Sequence, residues 1–273
     1  MPKRALTLLL LAAVGCDPHV VDAVREPPPA VEPAPPSPLA SSLIHRYSFD
    51  GEGAEVLDSK GAAHGQILGA TLDSHGGLPL AGAKSLEYVN LPNGIVSGLS
   101  DATFEAWLTW NGGNAWQRIF DFGNGTGGQD PPPPGTNYSG TSYLFLTTNA
   151  TEDTGRGLPS GMRVAYSRNG VNAEKTCYDS EQPFPKGAEH HVAVVVDAQA
   201  ATLVLYLDGA RVDECPLSQP LSAIDDVNNW LGRSNYTIDN ELEGDYDEFR
   251  IYGAALSADE IANSFKAGPD AKP

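Results

Sequence analysis

The chain has 273 residues, 29 of them Gly and 22 Pro, and a formal net charge of −18. That length suits one large domain or two small ones. Such acidity repels phosphate backbones and anionic headgroups, which excludes nucleic acid and leaves a lipid anchor as the only route to a membrane. Divalent cations are the natural counter-charge, and solubility of an exported protein is the plainer reading.

Residues 1–15 form an export signal. Lys3 and Arg4 precede an apolar run from Ala5 to Val14, too short to span a ~30 Å bilayer. The run L-A-A-V-G-C ending at Cys16 resembles the lipobox of bacterial lipoproteins, with Ala13 standing where Leu is usual. The resemblance implies cleavage before Cys16 and lipidation of that cysteine, which anchors the protein to the bacterial cell envelope. The expected place is the outer membrane or cell surface rather than the inner membrane; Asp17, which favours inner-membrane retention in enteric bacteria, is not carried over as a rule. Ordinary secretion with cleavage near Gly15 is the alternative.

Residues 16–42 read as a lipid-anchored, disordered stalk, with seven prolines from Pro27 to Pro38. A segment of this composition buries no core and extends as polyproline II, lifting the domain from the membrane or presenting a motif to a Pro-binding module.

From residue 43 the pattern is strand and turn. Strands are expected at 43–50, 66–68, 85–91, 103–110 and 117–122, then at 142–147, 162–167 and 174–178. The strongest, T-F-E-A-W-L-T-W, sets Phe104, Ala106 and Leu108 against Glu105, Trp107 and Thr109. Residues 123–140 form a Gly- and Pro-rich insertion, the kind of loop that is functional or disordered. The run at 189–197, nearly all apolar after its two histidines, suits a central strand, and the pair 202–207 and 210–215 around Asp208-Gly209 reads as a hairpin. Strands at 229–233 and 243–252 follow, the last pairing Tyr246, Glu248 and Arg250 on one side against Asp247, Phe249 and Ile251. It is expected to lie beside the first strand. A short helix starts with Ser257 as N-cap and Glu260 in capping-box position. Many short strands without a repeat period predict a single all-β sandwich over 43–267, and a disordered tail at 268–273.

The pieces H-R-Y-S-F-D, D-S-K-G, A-T-F-E-A-W-L, E-H-H-V-A-V-V-V-D, L-Y-L-D-G and G-D-Y-D-E-F-R-I-Y-G-A-A-L-S occur in this order. Together they resemble the laminin-G-like, concanavalin A-like lectin/glucanase domains of exported bacterial proteins. The resemblance implies a two-sheet antiparallel jelly roll. It also implies a broad range of functions, from sugar binding to adhesion, so the fold leaves function to be argued from the site.

If Cys16 carries lipid, Cys177 and Cys215 remain as a pair in an oxidising compartment, each on an expected strand. A disulfide between them is expected; two buried thiols are the alternative. Related jelly rolls often hold a structural calcium near the junction of first and last strands. The resemblance puts Asp50, Glu52, Asp58 and Asp247 forward as its oxygen ligands. The alternative is that Asp50 and Asp247 cap turns or pair with Arg46 or Arg250.

Glu243, Asp245 and Glu248 match the spacing E-x-D-x-x-E, which resembles the catalytic motif of retaining β-glucanases on this fold. The intervening Gly244, Tyr246 and Asp247, and the position near the chain end, depart from that pattern, so no catalytic residue is assigned and no enzyme is expected. Adjacent His190 and His191 face opposite sides of a strand and lack a ligand set. Sugar recognition combines aromatic faces with amides. Trp110, Asn111, Asn114 and Trp116, with Tyr138, Trp230, Asn235 and Tyr236, are the candidates for a rim around one sheet, although Trp230 also suits the core. The expected function is a non-catalytic, envelope-displayed module that binds a glycan or mediates adhesion. The alternatives are a lipoprotein contacting another envelope protein and a glycoside hydrolase.

Overall fold

The computed structural model describes residues 38–128 and 137–271. The export signal, Cys16, the stalk up to residue 37, the prolines at 131–134 and residues 272–273 lie outside the described residues.

Two antiparallel sheets face one another across an apolar core. The first runs Leu43–Tyr47, Glu241–Tyr252, Ala102–Trp110, Glu189–Asp197, Thr202–Leu207, Ala210–Pro216. Its seventh strand, Leu78–Ala83, pairs with the first half of Glu241–Tyr252, and Leu43–Tyr47 pairs with the second half. The second sheet has eight strands: Lys175–Tyr178, Gly161–Ser167, Gly140–Ala150, Arg118–Gly125, Asn228–Leu231, Tyr88–Leu91, Gly65–Leu68 and Glu55–Val56.

Alternation along the strands builds the core. Phe104, Ala106 and Leu108 point inward and meet Phe120, Phe122, Leu144 and Leu146 of the other sheet. Glu189–Asp197 is apolar on both faces because both are covered. Val192, Val194 and Val196 enter the core, while Ala193 and Val195 pack under helix Ala258–Ala267 with Leu256 and Ile261. That helix carries the anticipated capping box, with Ser257 and Glu260 bonded reciprocally. The hairpin at Asp208-Gly209 has φ of 49° and 74°, the paired left-handed conformations of a two-residue type I′ turn.

Three expectations change. Glu241–Tyr252 carries a bulge between Tyr246 and Glu248 opposite Leu108 and Trp107, which reverses the parity. Tyr246 therefore joins Phe249 and Ile251 in the core, and Glu248 and Arg250 face outward. Residues 38–42, read as stalk, form helix Pro38–Ser42, with Leu39 packed against the smaller apolar cluster. The carbonyls of Pro269 and Ala271, read as tail, accept hydrogen bonds from Arg250, and that of Pro269 also from Arg46 at 3.3 Å.

Cys177 and Cys215 form a disulfide with a Cα separation of 5.4 Å. It joins the edge strand Lys175–Tyr178 of one sheet to the edge strand Ala210–Pro216 of the other, stapling the sandwich on one side. No helix among the described residues is long and apolar enough to cross a membrane.

Candidate ligand site

The eight-stranded sheet presents a second ordered face, opposite the core. Where Leu144 and Leu146 turn inward, Tyr143 and Phe145 turn outward. Phe145 stands in register with Asp121 on one neighbour and Ala165 on the other. Trp116 and Tyr236 pack against this small apolar cluster from the flanking loops. A cavity of about 240 Å³ opens there, walled by Trp116, Phe145 and Tyr236 and by Arg118, Arg156, Asp153, Glu174 and Asp239.

Its charges are held tightly. Arg118 is buried, with its guanidinium carbon 3.9 Å from the centroid of the Phe145 ring and 5.6 Å from that of Trp116. It donates to Asp121 at 3.3 Å, to Asp239 at 2.9 Å and to the Trp116 carbonyl at 2.7 Å. Burial pushes the carboxyls of Asp121 and Asp239 up, against the pull of Arg118. Arg156 bridges Asp153, at 2.7 Å, and Glu174. Glu174 in turn accepts from the Tyr143 hydroxyl at 2.6 Å, and the Tyr236 hydroxyl donates to that of Tyr143 at 3.0 Å. Burial, then the charge of Glu174, drives the Tyr143 hydroxyl far above its ordinary range, so it stays a neutral donor.

Trp116 is the strained member. Its φ is 69°, a left-handed conformation that a bulky side chain adopts only under constraint. Three hydrogen bonds supply the constraint: its N–H donates to the Asn149 carbonyl at 2.7 Å, its indole donates to Thr151 at 3.2 Å, and its carbonyl accepts from Arg118. Strain of this kind concentrates where a side chain is held for a ligand.

A family profile for the concanavalin A-like lectin/glucanases superfamily (Laminin_G_3) matches residues 84–262. The chain belongs to that superfamily. Among solved structures, this concanavalin A-like chain is similar to domain 4 of AbnA, a GH43 extracellular arabinanase from Geobacillus stearothermophilus determined with arabinotriose. The TM-score is 0.59 at 19% identity, over 81% of this chain and 97% of that one. It is also similar to part of the Trypanosoma rangeli sialidase, with a TM-score of 0.55 at 14% identity over 83% of this chain; there it spans 33% of the sialidase's length. At these identities the likeness is one of fold. A search of curated proteins finds no match.

Within this concanavalin A-like fold the expected rim residues separate. Trp116 and Tyr236 share the cavity. Tyr138, Trp230 and Asn235 border a much smaller hollow beside it. Trp230 is buried against Tyr88 and Arg233, with its indole N–H bonded to Asn90 at 3.1 Å. Asn235 is a positioning residue, donating to Asp121 from both its backbone and its side chain at 2.9 and 2.8 Å. Trp110 shares the inward parity of Phe104 and Leu108 and fills the core, its indole donating to Gln117 at 2.6 Å. Asn111 and Asn114 are exposed in the loop after Trp110, off the cavity wall. Arg118, Phe145, Asp153, Arg156, Glu174 and Asp239 went unread in the sequence. The available signal was R-I-F-D-F, where two charges three apart interrupt an otherwise buried strand.

Of the four carboxylates named for calcium, Asp58 is engaged in a turn of its own, while Asp50 lies with Glu52 and near Asp247. Asp58 is buried and organises its own turn. One oxygen accepts from the backbone of Arg46, Lys60 and Gly61, the other from His45 and the backbone of Ala63. Burial opposes its charge, but these bonds outweigh burial and hold its pKa at about 2. Glu52 accepts from Ser74 at 2.8 Å on an exposed surface. Asp50 and Glu52 line a separate cavity of about 370 Å³; burial pushes the Asp247 carboxyl up, and the charges of Asp270 and Asp50 add to it. Asp247 is hydrogen-bonded to Glu189, which is pushed up to about 7 by burial and then by Asp247. Among the described residues no three His, Cys, Asp or Glu side chains are arranged to hold a metal ion.

The E-x-D-x-x-E carboxylates lie on the other sheet. Glu248 is clamped between Arg46 and Arg250, at 2.5 and 2.6 Å. Arg250 stacks on Trp107 at 4.5 Å from the ring centroid. His191, fully buried, meets Glu105 at 3.2 Å, and His190 meets Asp208 at 2.8 Å. Arg46 and Arg250 hold the tail, and Glu105 holds the C-terminal helix by accepting from Ser264 at 2.9 Å.

Proposed function

We propose that this protein is a non-catalytic glycan-binding module, anchored to a bacterial cell envelope through Cys16 and raised on its Pro-rich stalk. The observation that carries this is the cavity on the outer face of the eight-stranded sheet. There Trp116, held on strained backbone, and Tyr236 offer ring faces beside a network of fixed hydrogen-bonding groups. Sugar C–H faces stack on such rings while hydroxyls pair with such groups. The arabinotriose bound to domain 4 of the arabinanase supports the same use of this fold.

The state of the carboxylates at the cavity and of Glu248 supports binding over catalysis there. Glycoside hydrolysis needs one carboxyl as acid and another as nucleophile or base. Asp121 and Asp239 are tied to Arg118, Asp153 and Glu174 to Arg156, and Glu248 to two arginines on the opposite sheet. A protein-interaction role has one observation in its favour: Ile238, next to cavity-lining Asp239, is 75% exposed.

The test is binding of the purified full chain to a broad glycan panel, with calcium and with a chelator. Saturable binding that is lost in Trp116→Ala supports the proposal. None of Asp50, Glu52, Asp58 and Asp247 lines the cavity, so we expect the same binding in both buffers. A blank panel from folded protein sinks the glycan assignment and leaves the protein-interaction role. Palmitate labelling that disappears in Cys16→Ser tests the anchor separately.

A further inference from the structure

Both guanidiniums on the cavity wall are already engaged by the chain's own carboxylates. Arg118 uses Nε for Asp121 at 3.3 Å, Nη2 for Asp239 at 2.9 Å and Nη1 for the Trp116 carbonyl at 2.7 Å. Arg156 uses Nε for Asp153 at 2.7 Å, and Nη1 for Glu174 and for the Val171 carbonyl at 3.0 Å. A carboxylated sugar is recognised through an open guanidinium fork, two parallel N–H groups meeting two oxygens. Neither arginine presents one.

The surroundings add to this. On the wall Asp153, Glu174 and Asp239 stand beside Arg118 and Arg156, so a ligand carboxylate would meet more acidic than basic groups, none of the basic ones free. The next cation, Arg163, lies 5.3 Å from the Trp116 ring centroid, off the cavity wall. Its Nε and Nη1 have no partner, but both are sealed from solvent. The formal charge of −18 repels polyanionic glycans at long range as well.

Size narrows the ligand further. The cavity holds about 240 Å³, below the roughly 300–1,000 Å³ of pockets that enclose drug-sized molecules. That suits one ring rather than a stretch of chain.

We infer that the cavity seats a single uncharged terminal sugar ring and rejects sialic and uronic acids. The inference rests on the glycan-binding role proposed above, and it runs against the fold likeness to a sialidase. What remains open on the wall for a ligand is the Trp116 and Tyr236 rings, Arg156 Nη2 and carboxylate lone pairs. These are partners for C–H faces and hydroxyls.

The experiment measures affinity of the full chain for matched immobilised oligosaccharides. Galactose-terminated chains are compared with their sialylated forms, and glucose- or arabinose-terminated chains with glucuronate-capped ones. At least one neutral member is expected to bind, with its carboxylated counterpart weaker by about tenfold or more. Asp153→Asn and Glu174→Gln each release one prong of Arg156 and are expected to narrow that gap. Asp153 sits in a partly exposed loop, so its variant tests the idea even if Glu174→Gln folds poorly. Equal or stronger binding of the carboxylated forms overturns the inference while leaving glycan binding intact. No binding to any member overturns both.

Discussion

The guanidinium carbon of Arg118 lies 3.9 Å from the centroid of the Phe145 ring. The pair joins two neighbouring strands, Arg118–Gly125 and Gly140–Ala150, on the face of the sheet away from the core. A buried cation between a ring and two carboxylates fixes the cavity floor before any ligand arrives. That preorganisation lowers the ordering cost of binding.

Removing Arg118 leaves Asp121 and Asp239 buried without a counter-charge. Arg118→Met is expected to lower stability by about 3–5 kcal/mol, as when one partner of a buried ion pair is deleted. The measurement is the urea midpoint. Adding Asp121→Asn to Arg118→Met should recover part of the loss, because it removes one of the stranded charges. An unchanged midpoint in the single variant would mean the carboxyls are neutral in the folded protein.

The two tryptophans flanking the loop after Ala102–Trp110 are expected to behave oppositely. Trp110→Ala empties a core site and should cost about 3–5 kcal/mol. Trp116→Gly removes ring contacts but also relieves left-handed strain of about 1–2 kcal/mol, so thermal stability should change little. Glycan affinity in Trp116→Gly should fall by about tenfold or more, from the lost stacking face. Calorimetric unfolding and a binding titration on the same samples separate the two effects.

The disulfide closes a span of 38 residues between sheet edges. In the loop-entropy description its loss destabilises by roughly 3–4 kcal/mol. Cys177→Ala with Cys215→Ala should therefore unfold at distinctly lower temperature than the parent. Reductant should lower the parent to match and leave the variant unmoved.

Glu189 ties stability to pH. Its pKa rises from 4.5 to about 7 in the folded chain, first through burial and then through Asp247, with Asp270 adding repulsion and His190 opposing. A carboxyl raised on folding favours the folded state below its unfolded pKa. That contribution is lost as pH climbs through about 7. Stability from this site is thus fully present below about pH 4.5, falls as pH rises through about 7 and is gone by pH 8. Glu189→Gln should be more stable than the parent at pH 8 and show a flatter dependence between about pH 5 and 7. Urea midpoints at both ends check the sign; a parent that gains stability toward pH 8 through this residue would refute it.

Local chemistry was legible in the chain itself. Alternation at Phe104, Ala106 and Leu108 named the core face, because successive side chains on a strand must oppose one another. Asp208-Gly209 named a hairpin, and Ser257 with Glu260 named a helix start, because each motif closes over two to four residues. The order of such motifs pointed to the jelly roll, and counting cysteines pointed to Cys177–Cys215.

What only tertiary structure decided depends on partners distant in the chain. A single bulged residue at Asp247, imposed by pairing with Ala102–Trp110, moved Tyr246 into the core and turned Glu248 toward Arg46. Trp110 and Trp116 look alike in sequence, yet register buries one and a constrained turn presents the other. Arg118, Phe145, Arg156, Glu174 and Asp239 come from separate strands and loops, and no spacing rule links them. Their meeting is set by sheet order and strand register, which arise from burial summed over the whole sandwich rather than from any one segment.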